Sequence, residues 1–298
     1  MNRAIRIFAL LSLATCALGA GAQDHFKNPQ AAADAFVAAL GTEKADAARL
    51  AALLGPKWQD YIPTKGIARK DVDAFLAYYK EKHEIQSAVQ GRAHIVVGND
   101  PWTLPIPLVQ SKEGWHFDAR AGGEEIRLRR IGRNELAAIQ ATEAYHDAQM
   151  DYAEVDRNGD GVLEYAQKFI STDGQHDGLY WADEDGTQES PLGPLFGGQT
   201  KGDDWHGYHF RILTAQGPSA PGGAYNYMLG KAMSRGFALV AWPAQYGDSG
   251  VMSFMISHEG QIFQKDLGPN GEKLAKTMTR FDPDSSWDEI QTDDSPGS

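Results

Sequence analysis

The stretch 134–152 constrains the fold more than any other part of the chain, because its apolar and aromatic residues recur at steps of three or four. That spacing is typical of one face of a helix. The face consists of Leu136, Ile139, Thr142, Tyr145, Ala148 and Tyr152. Asn134 is a suitable N-cap, and Glu135 lies favourably in the first turn. An acidic, glycine-rich loop and then several strands follow. We therefore predict an α+β protein in which this helix packs on a small antiparallel sheet.

The length and charge of the chain limit its class. A chain of 298 residues is long enough for about two domains. Hydrophobic residues make up 42% of it, which is enough for a buried core. The formal net charge of -12 argues against non-specific nucleic-acid binding, which needs a basic surface. We therefore expect no nucleic-acid partner.

Residues 1–22 have the pattern of a secretory signal peptide. Two arginines precede an apolar run at 7–18, which is too short to span a bilayer. Ala20 and Ala22 form a small-x-small cleavage site. We expect cleavage after Ala22 and a periplasmic or secreted protein of a Gram-negative envelope, with no membrane span elsewhere in the chain.

Cys16 is the only cysteine, and it lies within the predicted signal. Without it, the exported protein has neither a disulfide nor any cysteine chemistry. Residues 13–16 loosely resemble a lipoprotein cleavage box. The Ala-x-Ala site is the better match, so we expect no lipid anchor at Cys16.

Residues 23–130 form the first predicted domain, in which helices precede strands. We expect helices within 28–54 and at 71–82, and strands at 92–98, 102–110 and 114–119. This order, which ends in the phrase G-W-H-F-D at 114–118, resembles nuclear transport factor 2-like domains over residues 26–128. The resemblance implies a cone-shaped fold with a curved antiparallel sheet, in which many members of that superfamily have a pocket.

Residues 131–268 form the second predicted domain, after an Arg/Gly/Glu-rich hinge at 120–133. Its strands are expected at 208–213, 236–243, 250–256 and 260–267. The helix, the loop and the closing phrase G-x-I-x-x-K-D-L-G resemble the globular domain of type IV pilins and type II secretion pseudopilins. Pilins have an apolar half-helix where this chain has a whole domain. The resemblance therefore implies the scaffold without filament assembly. Residues 269–298 are predicted to be an acidic flexible tail that contains a short helix at 273–278.

The chain as a whole resembles an uncharacterised bacterial envelope family, domain of unknown function 2950, from about Phe26 to Gly268. The most specific phrases are R-I-G-R-N-E at 130–135, D-G-L-Y-W at 177–181, S-P-L-G-P-L at 190–195 and F-R-I-L-T-A-Q-G at 210–217. The resemblance implies an envelope setting and no particular activity.

The acidic loop carries the sharpest local motif, D-x-N-x-D-G-x-x-E. Oxygen-bearing side chains at alternate positions, with a glycine for the turn, suit a hard cation such as Ca²⁺. The candidate ligands are Asp156, Asn158, Asp160, the carbonyl of Val162 and Glu164. Gln167 stands where an EF-hand has a bidentate Glu. The alternative is a plain turn in which Asp160 caps a helix at 162–170.

A second group of candidates lies around a Gly/Pro-rich loop at 217–223. Exposed aromatic residues beside such a loop suit contact with a partner protein or a glycan, and a packed Ω-loop is the alternative. His206 and His209 suggest zinc binding or acid–base chemistry, against a polar turn that enters a strand. The candidate binding residues are Trp205, His206, His209, Tyr225, Tyr227 and Trp242.

Together these patterns favour an exported, non-catalytic cell-envelope binding or scaffold protein, stabilised by calcium. No HExxH, GxSxG or phosphate-loop motif occurs in the sequence. One alternative is a periplasmic hydrolase that uses the His206/His209 region. Another is a small-ligand carrier with a pocket in the N-terminal domain.

Overall fold

The computed structural model describes residues 23–65, 67–88, 91–182, 189–193 and 204–291. The predicted signal peptide and the end of the predicted tail lie outside these residues. The chain divides into two compact units, Met1–Ile126 and Arg127–Ser298. Within the described residues, no helix is both long enough and apolar enough to cross a membrane.

The first unit consists of helices followed by an antiparallel sheet, as predicted. Its helices are α1 (Pro29–Leu40), α2 (Ala47–Leu54) and α3 (Arg69–Glu81), with a 3-10 turn at Trp58–Asp60. Its strands are β1 (His83–Ala88), β2 (Arg92–Val97), β3 (Trp102–Thr103), β4 (Leu108–Gln110) and β5 (Trp115–Phe117). The strand order is β1-β2-β4-β5, and β3 also pairs with β2.

Local signals explain where these elements begin and end. Asn28 caps α1 by accepting a hydrogen bond from the Ala31 N–H, and Pro29 stands at the first helical position. Pro105 and Pro107 break the single predicted strand at 102–110 into β3 and β4, because proline cannot donate to a ladder. The core of the unit is formed by Phe36, Leu53, Ile95, Leu108 and Phe117, among others.

The second unit is built on a five-stranded antiparallel sheet that follows a long helix, α4 (Ala119–Tyr152). The strands of this sheet are β6 (Tyr208–Leu213), β11 (Ala238–Pro243), β12 (Met252–Ser257), β13 (Ile262–Asp266) and β14 (Asp288–Glu289), in the order β14-β13-β12-β11-β6. The short strands β7 (Ala215–Gln216), β8 (Tyr225–Asn226), β9 (Met228–Leu229) and β10 (Ala232–Met233) form two hairpins. The α+β class is confirmed.

The predicted face of the long helix packs into the core of this unit. Tyr145 and Tyr152 are buried, and Tyr145 Oη donates to the Ala238 carbonyl of β11 at 3.3 Å. The Tyr145 ring also meets Phe237 edge-on, with centroids 5.7 Å apart. The exception is Leu136, which is exposed. The helical period therefore predicted the buried face well.

The predicted start of this helix and the predicted hinge at 120–133 are wrong, because α4 begins at Ala119. Two glycines of its first turns, Gly122 and Gly123, are required by close packing. A Cβ at Gly122 would lie 2.9 Å from Ile106 Cγ1, and one at Gly123 would lie 2.5 Å from the Tyr61 carbonyl oxygen. The unit boundary at 126/127 thus falls inside the helix.

Asn134 is consequently no N-cap. Its amide donates to the Ser249 carbonyl at 2.8 Å. The Glu135 carboxylate accepts hydrogen bonds from the N–H groups of Val251 and Met252, at 2.9 and 3.0 Å. Both side chains therefore attach α4 to the start of β12 instead of opening a helix.

The short helix predicted at 273–278 is present as α5 (Gly271–Thr277). The flexible tail predicted around it is wrong for its described part, because residues 288–289 form β14 and Phe281 and Trp287 belong to the core of the unit. The acidic composition misled the prediction, because two aromatic side chains are enough to dock the segment on the sheet.

Candidate functional site

The acidic loop after α4 is organised by the carboxylate of Asp156. Its two oxygens accept hydrogen bonds of 2.8 Å from the backbone N–H groups of Gly159 and Gly161. Both glycines have positive φ, 75° and 85°, which residues with side chains adopt only with strain. The prediction that glycine permits a sharp turn here is confirmed.

The other candidate calcium ligands lie in the same loop. The Asn158 amide donates to Asp160 Oδ2 at 3.2 Å and to Glu164 Oε1 at 2.7 Å. Asp160 Oδ1 accepts from the Val162 N–H at 2.9 Å. Three of the predicted side chains are therefore linked to one another. Gln167 turns away, because its amide donates to the Lys231 carbonyl.

The carboxylates of this loop differ in their acidity. The Gly161 N–H, followed by other backbone N–H groups, lowers the pKa of Asp156. Partial burial, and then repulsion from Asp160 and Asp156, raises the pKa of Glu164. Across the described part of the chain, no group of three or more His, Cys, Asp or Glu side chains is arranged to hold a metal ion. Calcium binding stays a prediction.

The alternative in which Asp160 caps a helix at 162–170 is wrong, since that segment forms no helix. The Tyr165 N–H donates to the Met233 carbonyl at 2.8 Å. Both backbone groups of Ala166 bond to the side chain of Gln149 in α4. Tertiary partners therefore take the hydrogen bonds that a helix needs.

The two candidate histidines have separate surroundings. His206 is exposed in a turn with φ 49°, and its ring centroid lies 4.3 Å from that of Trp205. His209 lies in β6, with its ring 5.7 Å from Trp242. The structure thus places His206 in a polar turn that enters a strand, as the alternative interpretation expected.

Two of the predicted binding aromatics belong to the core. Tyr227 is 0% exposed and Trp242 is 4% exposed, so neither offers a contact surface, and the prediction is wrong for both. Trp205 and Tyr225 are half-buried. Bulky aromatic side chains are strongly favoured in cores, and sequence spacing did not tell these buried rings from surface ones.

The Gly/Pro-rich loop is packed around a buried glutamine. Gln216 Nε2 donates to the Pro221 and Gly223 carbonyls at 2.5 and 2.7 Å, and its Oε1 accepts from Tyr227 Oη at 2.9 Å. The Ser219 N–H donates to Asp282 Oδ1. These bonds fix the loop as a packed connection beside Tyr225.

Tyr225 is the centre of a polar cluster at the surface, which consists of Tyr225, Arg235, His258 and Glu259. Tyr225 Oη lies 3.0 Å from His258 Nε2, and Glu259 Oε1 lies 3.4 Å from the same nitrogen. The Arg235 guanidinium stands 5.6 Å from the centroid of the Tyr225 ring. Arg235 and Glu259 are exposed, so solvent reaches this Tyr225 cluster.

The hydrogen-bond roles within the cluster follow from burial. Burial lowers the pKa of His258 and so favours neutral imidazole. His258 Nδ1 is buried without a hydrogen-bond partner among the described residues. A proton on Nδ1 would therefore be an unpaired buried donor, so we assign the proton to Nε2. Tyr225 Oη then accepts from His258, and its own proton is free to donate outward.

Sequence reasoning missed three members of the Tyr225 cluster. His258 and Glu259 lie in the turn that follows β12, and Arg235 precedes β11. His258 is 33 residues from Tyr225 along the chain. No local motif links positions so far apart, and only the pairing of the strands brings them together.

The fold and the site define an α+β protein with a long helix before a small antiparallel sheet, a surface polar-aromatic cluster and an acidic turn. The chain belongs to the family described as "Protein of unknown function (DUF2950)", which matches residues 23–290. No curated protein and no solved structure matches the chain.

Proposed function

We propose that this protein is an exported cell-envelope binding or scaffold protein whose Tyr225 cluster contacts a partner protein or a glycan. The observation that carries the proposal is the fixed position of the Tyr225 ring at the surface. His258 holds its hydroxyl, and Arg235 covers one side of the ring.

The chemistry of the cluster suits recognition. Tyrosine and arginine are among the residues that most often contribute binding free energy at interfaces. A side chain that is already ordered loses little conformational entropy on binding. The cluster offers a hydroxyl donor at Tyr225, a cation at Arg235 and an anion at Glu259, which together can pair with polar groups of either sign.

Export and calcium are parts of the same proposal. The signal-like residues 1–22 support a periplasmic or secreted location. In such a compartment calcium is plentiful enough for a weak loop site, and modules of that kind bind with Kd of about 0.1–1 mM. Burial, and then repulsion from Asp160 and Asp156, raises the pKa of Glu164, and the proposed ion would offset that repulsion.

Binding of the labelled, full-length mature chain to isolated cell envelopes tests the proposal. We expect saturable binding, weakened at least about tenfold by Tyr225→Ala or Arg235→Ala. Tyr61→Ala, which removes another exposed aromatic ring from the first unit, is the matched control and leaves binding unchanged. Equal binding by all four proteins would refute the proposal. Protease treatment of the envelopes then distinguishes a protein partner from a glycan.

A further inference from the structure

The second unit contains an open cavity of about 50 Å³ at the start of β12. It has room for about three or four water molecules, so only the end of a larger molecule fits inside. Its apolar walls come from Pro243, Ala244, Val251 and Pro269. We call it the Ser253 cavity. It shares no residue with the Tyr225 cluster.

Ser253 lines this cavity and has an unusual hydroxyl group. The residue is 1% exposed, and its Oγ has no hydrogen-bond partner among the described residues. A buried hydroxyl without a partner is unfavourable, and native structures contain few of them. An oxygen atom supplied by a ligand would remove this penalty.

The side chain of Trp242, next to Ser253 in the sheet, also has a buried polar atom without a hydrogen-bond partner among the described residues. Ala241 of β11 pairs with Phe254 of β12, which makes Trp242 and Ser253 the next neighbours on these two strands. The indole Nε1 of Trp242 is also buried without a partner within the described part of the chain. Indole nitrogen only donates, so, among the described residues, Trp242 Nε1 lacks an acceptor next to the cavity residue Ser253, although Trp242 itself does not line the cavity.

The rim of the cavity carries a hydrogen-bond acceptor. Glu272 lies there with an ionised carboxylate, because Lys276 lowers its pKa. That ion pair is exposed, and the carboxylate can accept further hydrogen bonds. The exposed ring of Tyr246 forms part of the wall, and its hydroxyl donates to Asp266 at 3.1 Å.

We propose that the Ser253 cavity binds the terminal hydroxymethyl group of a saccharide. A hydroxyl group accepts from Ser253 and donates to Glu272, and the C–H groups of the sugar pack on the proline and tyrosine walls. An ammonium group cannot accept from Ser253, and a carboxylate is repelled by Glu272. This site is separate from the proposed envelope contact.

Ligand-observed saturation-transfer NMR on the full-length mature chain tests this with methyl β-D-glucopyranoside and its 6-deoxy analogue. We expect the complete glucoside to bind at least tenfold more tightly than the analogue. Ser253→Ala should weaken binding of the glucoside at least tenfold. Its melting temperature should be equal to that of the wild type or higher, because the variant removes an unpaired buried hydroxyl. Glu272→Gln, at the exposed rim, should weaken binding without affecting folding.

The control is Ser257→Ala on the same strand. Ser257 is equally buried, but its Oγ accepts from the Glu259 N–H at 3.3 Å. Ser257→Ala should melt at a lower temperature than the wild type and bind the glucoside with unchanged affinity. Tyr225→Ala should also bind the glucoside with unchanged affinity. Any of three results would overturn the proposal, whatever the result of the envelope assay. They are equal affinity for the two glucosides, unchanged affinity of Ser253→Ala for the glucoside, and binding of ethanolamine in place of the glucoside.

Discussion

Gln149 and Ala166 are joined by two hydrogen bonds, one in each direction. Gln149 Nε2 donates to the Ala166 carbonyl at 2.8 Å, and the Ala166 N–H donates to Gln149 Oε1 at 2.8 Å. Gln149 is buried, and its amide also donates to Tyr145 Oη. A helix side chain here replaces the neighbouring strand that would otherwise pair with residue 166.

Replacing Gln149 should therefore destabilise the second unit strongly. Gln149→Met keeps the length of the side chain but leaves the N–H and C=O of Ala166 buried and unpaired. Each unpaired group costs about 1–3 kcal/mol, so the two together should lower the free energy of unfolding by about 2–6 kcal/mol. Urea denaturation followed by circular dichroism measures it.

Gln140→Met is the matched control, since Gln140 is exposed on the same helix. It should change the free energy of unfolding by less than about 0.5 kcal/mol. A loss in Gln149→Met no larger than in this control would show that the paired bonds contribute little.

The sequence predicted those features that depend on neighbours along the chain. The 3.6-residue period identified the face of α4 that buries Tyr145 and Tyr152, and the spacing of Gly159 and Gly161 identified the turn after it. Features that depend on distant residues were missed. The segment at 162–170 has a helix-like start, but Gln149 and the Met233 carbonyl take the backbone hydrogen bonds that a helix needs.

In the candidate site, too, features set by neighbouring residues were predicted and features set by distant residues were missed. The acidic turn is local, and its hydrogen bonds lie within residues 156–164. The Tyr225 cluster depends on strand pairing across 33 residues, and His258 carried no signal of its own. The buried positions of Tyr227 and Trp242 were equally hidden. Tyr227 lies in the bend between β8 and β9, and Trp242 lies in β11, in which every residue is buried.

The glycines of α4 allow a sharp comparison. A Cβ added at Gly132 would have no atom within 4 Å, whereas one added at Gly123 would lie 2.5 Å from the Tyr61 carbonyl oxygen. Alanine is favoured over glycine in helices by about 0.8–1.0 kcal/mol. We therefore expect Gly132→Ala to raise the free energy of unfolding by up to about 1 kcal/mol and Gly123→Ala to lower it.

Thermal unfolding of the two variants, measured by circular dichroism, checks the comparison. Both replacements have the same helix propensity, so a difference in sign isolates the contact with Tyr61. If both variants gained stability, the first turns of α4 would not be packed as closely as Gly123 indicates.

Stability should fall in mild acid because of His258. Burial lowers its pKa in the folded state, whereas the unfolded chain has a pKa of about 6.5. Below about pH 6.5, His258 binds a proton in the unfolded chain but not in the folded chain. The free energy of unfolding therefore decreases as the pH falls below that value. The contribution of one such proton is at most about 1.4 kcal/mol per pH unit.

Urea unfolding of the wild type and His258→Gln at pH 7.5, 6.5 and 5.5 measures this contribution. The wild type should lose more stability than the variant between pH 6.5 and 5.5. His176→Gln serves as the control for the change of residue type, since His176 is an exposed histidine. Parallel curves for the wild type and His258→Gln would contradict the prediction.

Calcium should stabilise the second unit through the acidic loop. A site with Kd of about 0.1–1 mM contributes about 1–2 kcal/mol at about 5 mM calcium. A gain of that size raises the melting temperature by roughly 2–8 °C in a unit of this size. Glu164→Gln should abolish the shift, because it removes one of the carboxylates that would hold the ion.

The same variant separates a calcium site from a plain turn. Without calcium, Glu164→Gln should melt at the same temperature as the wild type or slightly higher, since the charge repelled by Asp160 and Asp156 is gone. Glu154→Gln, which removes an exposed carboxylate outside the loop, should keep the full calcium shift. Equal shifts in the wild type and Glu164→Gln would mean that calcium acts elsewhere. If calcium did not change the melting temperature of the wild type, the loop would be a plain turn held by the hydrogen bonds of Asp156.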